Sequence, residues 1–266
     1  MDGLHRAHLE ENGNSAAVID LHSHILPALD DGPETLAGSL ELARAAVADG
    51  IQVIAATPHV RDDYPTTAGQ MEAAVERMRA ALAVEDVPLD VRPGGELDLE
   101  RLSLPHEELS RFGLGGSPTH LLVETPYAGW PLDLPERLFR LRAAGFVPVL
   151  AHPERNADVQ ADPQGRVGLL VESGTLVQLT AASVDGRLGR RAREASARLL
   201  ELGLAHLIAS DAHTPAIRAV GMSAAADAVG NDALADWLTH DVPAAIVAGE
   251  PPPPRPPPPR KRFFVR

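Results

Sequence analysis

The chain has 266 residues, 44% hydrophobic and 23% charged, with no cysteine and a formal net charge of −13. The absence of cysteine excludes disulfides, thiolate ligands and thiol nucleophiles. The only lysine is Lys261, so Schiff-base, P-loop and carbamylated-lysine chemistry is excluded from everything before the tail.

In chain order, residues 1–16 are polar and lack an apolar h-region, which reads as a disordered extension without a secretory signal. Val18-Ile19 opens a first strand that runs into Asp20-Leu21-His22-Ser23-His24. Residues i and i+2 of a strand share a side, so His22 and His24 can aim two imidazoles at one point. A loop with Asp30-Asp31-Gly32-Pro33 follows, and Thr35 caps a helix through about Asp49. Further strands are expected at Ile51–Ala56, within Leu89–Leu97, and at Leu121–Glu124, Val147–Leu150, Leu176–Leu179 and His206–Ala209. Helical patterns lie between them, at Ala68–Val84, Glu100–Ser110, Leu134–Ala144, Gly165–Glu172 and Arg187–Leu202. Two more follow the last strand, at about Ala216–Val229 and Asp232–Thr239.

Seven short apolar strands alternating with helices predict a parallel sheet, closed as a (β/α) barrel one unit short of eight. An open doubly wound sheet is the other arrangement, but no Gly-x-Gly-x-x-Gly follows any strand. The expected organisation is an extension at 1–16, one domain at 17–249 and a tail at 250–266. No apolar run approaches the roughly 18 residues of a membrane span, and a cytoplasmic location is expected. The tail, PPPPRPPPPRKRFFVR, carries five basic residues and no acid, so the rest of the chain holds −18. A body that acidic argues against nucleic acid as partner and suits carboxylates gathered around cations. Polyproline favours the PPII helix rather than a packed core, so the tail reads as a semi-rigid spacer or as a docking arm.

Six of the seven strands deliver an ionisable residue at or just past the C-terminal end: His22/His24, His59, Glu96, Glu124, His152 and Asp211/His213. In a parallel barrel these ends form one face, the one that carries the active site. The sixth strand brings only Gln178 and Thr180. Any one of these residues is most simply a hydrogen-bonded or ion-paired side chain. Five histidines and three acids on one face are not explained that way. They suffice for two or three metal ions, and with only N and O donors the candidates are manganese, iron, zinc or magnesium-like cations.

These residues in this order resemble the PHP (polymerase and histidinol phosphatase) superfamily. DLHSHILPALDDGPET, ATPH, GGE, LLVETP, LAHPERN, LVQLTAAS and HLIASDAH resemble the bacterial PHP-type tyrosine phosphatases of the capsule and exopolysaccharide (CpsB/YwqE) group, over about residues 18–249. The resemblance implies a distorted seven-stranded barrel, two or three divalent metals with manganese favoured, and a phosphotyrosine substrate, typically on a bacterial tyrosine autokinase. It implies a first metal on His22, His24, Glu96 and Asp211, and a second that shares Glu96 and adds Glu124 and His152. A third would take His59, His213 and Asp31, with Asp30 as the alternative acid. Arg155 and Arg218 match the family's phosphate-binding arginines. Gly95 stands where the family usually has Ala, Ala182 replaces a more usual Gly, and both termini lie outside the family pattern.

The implied reaction is hydrolysis of a phosphate monoester without a phosphoenzyme, with His59 or His213 available to assist the leaving group. A small phosphate monoester such as histidinol phosphate is the alternative substrate within the same chemistry. A metal-dependent deaminase also uses His-x-His on a barrel, but paired arginines have no purpose there. Docking through the proline-rich tail and a homo-oligomer are further expectations.

Overall fold

Residues 17–214 and 219–257 are described in a computed structural model. Nine strands are present among them: β1 (Val18–Ser23), β2 (Ile51–Ala56), β3 (His59–Val60), β4 (Asp90–Pro93), β5 (Glu96–Leu97), β6 (His120–Glu124), β7 (Val147–Ala151), β8 (Leu176–Thr180) and β9 (Leu207–Ala209). They form a three-stranded sheet, β1-β2-β4, and a six-stranded sheet, β3-β5-β6-β7-β8-β9, parallel throughout.

The nine strands are seven barrel staves, two of them broken. Thr57-Pro58 interrupts β2/β3, and Gly94-Gly95 interrupts β4/β5 directly after Pro93. Proline supplies no donor and glycine no side chain to hold a ladder, so both staves bend at the same level. Pairing resumes beyond the break, with His59 level with Glu96 and Glu96 level with Leu122. The last seam closes β1 onto the segment after β9. Ser23 bridges Ala212, the His24 N–H donates to the Ala212 carbonyl (2.9 Å), and the Asp211 N–H donates to the His22 carbonyl (2.8 Å). The molecule is therefore a distorted (β/α)7 barrel.

Every residue of β6 and β8 is buried, as helices covering a parallel sheet require. The helices begin where the sequence signals them. Thr35 caps Leu36–Ala48, and Thr67 and Gln70 form a capping box on Ala68–Val84. The expected Glu100–Ser110 helix instead splits at Pro105 into a 3-10 turn and a short helix, His106–Arg111. A final helix, Val242–Ala248, packs its buried Val242 and Ile246 inward.

The proline run does not leave the domain at residue 250. Pro251, Pro254 and Pro257 are exposed, while Pro252, Pro253, Arg255 and Pro256 are partly buried. That period of three is the PPII repeat lying against a surface. The Trp237 indole N–H donates to the Pro253 carbonyl (3.0 Å). Arg255 donates to the carbonyls of Leu200 (2.8 Å) and Ala205 (3.2 Å), next to the start of β9 and opposite the face described below.

Candidate metal centre

The C-terminal ends of the staves bring His22, His24, Asp31, His59, Glu96, Glu124, His152, Asp211 and His213 into one cluster. Only Asp31 keeps appreciable solvent contact; the others are buried. Donor atoms within 4.8 Å of one another form three overlapping groups: His22/His24/Glu96, His59/Glu96/Glu124 and His24/Asp31/His59/His213. The grouping places His59 with Glu124, whereas His152 meets the other oxygen of Glu96 (Nε2–Oε1 2.8 Å). Glu96 lies at the centre of the arrangement. Arg218 lies outside the described residues.

The first group shows how the imidazoles are aimed. His22 Nδ1 donates to Gln178 Oε1 (3.0 Å), His24 Nδ1 to Asp30 Oδ2 (2.6 Å) and His213 Nδ1 to the Asp211 carbonyl (2.9 Å). Each bond fixes the tautomer and turns Nε2, with its lone pair, into the cluster. His22 Nε2 and His24 Nε2 then face each other at 3.3 Å. Glu96 Oε2 lies 3.4 Å and Asp211 Oδ1 3.3 Å from both nitrogens. Four-coordinate ligands at about 2.1 Å from a cation are spaced about 3.4 Å apart. Buried lone pairs and carboxylates at that spacing repel one another unless a positive charge sits between them. His152 Nδ1 and Glu96 Oε2 are buried without a hydrogen-bond partner.

Electrostatics agree. Burial disfavours a charged His22, yet Glu96 and Asp211 outweigh it and lift its pKa. Burial likewise opposes ionisation of Glu96 and Asp211, but the surrounding histidines, with Arg155 foremost at Asp211, hold both far below the usual carboxylate range. Burial and the nearby Glu96 push the Glu124 carboxyl up. Ionised carboxylates held among imidazoles are the donor set that a divalent cation takes up.

Asp30 and Asp31 play different parts. Asp30 is committed to His24, to the His59 N–H (2.9 Å) and to the Gly32 N–H (3.0 Å). Asp31 Oδ1 faces Nε2 of His213 (3.1 Å) and of His59 (3.5 Å). Arg155 is bonded to Asp211 through its guanidinium and is held firmly charged there. His152 (φ 35°) and Asp211 (φ 51°) both have left-handed backbone, a conformation that costs a non-glycine residue of order 1–3 kcal/mol and recurs at functional sites.

Three residues joined the site without being expected there. Gln178, on the stave that brings no ionisable residue, orients His22. Fully buried Asp20 accepts from the Ser210 N–H (2.9 Å), the Ser210 hydroxyl (2.5 Å) and the His22 N–H (3.2 Å), tying β1 to the end of β9; burial still pushes its carboxyl up to about 6. Arg61 reaches both oxygens of Glu124 (3.3 and 3.4 Å). The signal was the strand period: Asp20 precedes His22 by two, and Arg61 follows His59 by two.

The family model for capsular polysaccharide synthesis, CpsB/CapC, matches residues 18–244. The chain belongs to the CpsB/CapC family. It is 38% identical over 198 residues to the tyrosine-protein phosphatase YwqE of Bacillus subtilis, covering 74% of this chain and 77% of that one. It is 29% identical, over the same shares, to the putative tyrosine-protein phosphatase CapC of Staphylococcus aureus. A crystal structure from the work on YwqE and on CpsB of Streptococcus pneumoniae, described as unique metal-dependent tyrosine phosphatases, superposes with a TM-score of 0.81 at 33% identity. The match covers 92% of this chain and all of that one. The donor groups lie on segments that carry the CpsB/CapC match. Among the described residues no helix is long and apolar enough to cross a membrane.

Proposed function

We propose that residues 17–249 form a metal-dependent protein-tyrosine phosphatase acting on a bacterial tyrosine autokinase that controls capsule or exopolysaccharide synthesis. The observation that carries this reading is the pair of imidazole nitrogens facing each other between Glu96 and Asp211, with Arg155 on the same carboxylate. The donors fit two or three divalent cations. Manganese is the first choice by resemblance to the family, with iron or zinc as alternatives that the same N and O donors admit. His22, His24, Glu96 and Asp211 would hold one. Glu96, Glu124 and His152, joined by His59, would hold a second. Asp31, His59 and His213 would hold a third.

Such cations supply charge neutralisation for the phosphate dianion and activate water near neutral pH. The protein's own part is to position. Arg155 presents a rigid fork of donors to the non-bridging oxygens, with Arg218 as the second phosphate ligand. Asp30, Gln178 and the Asp211 carbonyl keep three imidazoles aimed. The leaving phenolate has a conjugate acid of pKa about 10, so His59 and His213 serve first as ligands and need supply little acid assistance. Docking through the proline-rich tail and a homo-oligomer belong to the same proposal, although Pro253 and Arg255 are held on this domain.

The test is elemental analysis joined to activity on one preparation. The expected result is bound transition metal, hydrolysis of a phosphotyrosine peptide that EDTA abolishes and manganese restores, and a higher kcat/KM for that peptide than for histidinol phosphate. Undiminished hydrolysis by fully chelated protein refutes the reading.

A further inference from the structure

A cavity of about 320 Å³ opens beside the cluster, lined by Tyr127, Arg155, Gln160, Leu188 and Ala192. Arg155 is the wall it shares with the cluster. On one side the guanidinium is bonded to Asp211, and on the other it lies 3.4 Å from the Tyr127 hydroxyl. The Tyr127 ring stacks over His152, with centroids 5.9 Å apart and an interplanar angle of 22°. Tyr127 is 49% exposed and Leu188 39%, so the cavity keeps two apolar walls in water. Neither wall is loose. The Tyr127 carbonyl accepts from the Ala157 N–H (3.2 Å), Asn156 holds the neighbouring Pro126 carbonyl (2.6 Å), and the Leu188 N–H donates to the Ala182 carbonyl (2.8 Å).

We propose that this cavity receives the aromatic ring of the phosphoaryl substrate, and that Tyr127 and Leu188 are the residues that select an aryl over an alkyl phosphate. The inference rests on the phosphatase reading and adds to it the side chains that recognise the ring. With phosphate held by Arg155 and the cluster, the ester oxygen can direct its substituent into the cavity. There a flat ring stacks against Tyr127 and covers Leu188. An alkyl phosphate presents no such face. Gln160 also borders a second depression, of about 340 Å³, lined by Arg191 and Arg198, so the polypeptide flanking a phosphotyrosine has an open path away from the site. The cluster has another aromatic rim at Tyr64, which stacks on His59 (5.7 Å) as Tyr127 does on His152, but the Tyr64 ring also carries the Arg61 guanidinium (5.2 Å), and it is Tyr127 that lines the cavity.

Calorimetric titration of the manganese-loaded protein with phenylphosphonate and methylphosphonate tests this without relying on turnover. The wild type should bind the phenyl compound about tenfold more tightly. In Tyr127→Ala and Leu188→Ser the preference should fall towards parity, and Leu188→Ser should do so with inorganic phosphate affinity and metal content unchanged. Tyr127→Phe should keep the preference, which separates the ring from the hydroxyl contact to Arg155. Equal affinities in the wild type overturn the proposal. So does a preference that survives both substitutions, or one lost in Tyr64→Ala instead. A preference found in a protein that hydrolyses no aryl phosphate leaves the cavity assignment standing and overturns the phosphatase reading alone.

Discussion

His206 makes the fold sensitive to acid at a point far from the cluster. Its Nδ1 accepts from the Val177 N–H (3.1 Å), which requires the neutral ring, and the ring leans on Trp237. Burial first, and then the Arg255 guanidinium, push its pKa from 6.5 down to about 4. Above pH 6.5 both folded and unfolded chains carry a neutral imidazole, and nothing is lost. As pH falls below 6.5 the unfolded chain takes up a proton that the folded chain refuses, so stability declines until the pH reaches about 4. Linkage over that window gives a loss of about 2 kcal/mol between pH 7 and pH 5. His206→Gln keeps an acceptor for Val177 and does not titrate. Urea unfolding followed by circular dichroism should therefore show a wild-type stability that falls between pH 7 and pH 5 by about 2 kcal/mol more than that of His206→Gln. Acid effects on the cluster and on His120, which burial also lowers to about 4, are common to both proteins and cancel. Arg255→Ala removes the second cause and should make the decline shallower. Parallel pH profiles for wild type and His206→Gln would refute the argument.

His22→Ala should lower metal content and activity together with little loss of fold, measured by elemental analysis and p-nitrophenyl phosphate hydrolysis; full metal content with full activity would return His22 to a structural role. Asp20→Ala strands two buried N–H donors, that of Ser210 across the closing seam and that of His22 on the same strand, and should cost about 2–4 kcal/mol by urea unfolding, whereas Asp20→Asn, which keeps an acceptor, should cost much less. Gly95→Ala should destabilise by about 1–3 kcal/mol, because a Cβ there would lie 2.6 Å from Cδ1 of the fully buried Phe112. Phe112→Leu in the same chain should recover part of that loss, which a double-mutant cycle reads directly.

The Gly95 case shows where sequence reasoning reaches its limit. Family pattern alone makes alanine at 95 look harmless, and only packing reveals that Phe112 fills the space. The tail is similar: proline composition identifies PPII, but the docking of Arg255 on two carbonyls depends on where a helix end and a strand start meet. Strand and helix periods, by contrast, are local properties. They were enough to place seven staves, to put His22 and His24 on one side of β1, and to bring the acids and histidines to one face. They could not show which oxygen meets which nitrogen. That Asp30 aims His24 while Asp31 faces His213 and His59, that Gln178 orients His22, and that Asp20 ties the barrel shut are consequences of contacts between segments up to 190 residues apart. The sequence by itself determined the kinds of donor atom and the face they share, because both follow from residue identity and backbone period. Tertiary structure alone decided their pairing and protonation, because these depend on distances of a few ångströms that the barrel's closure sets.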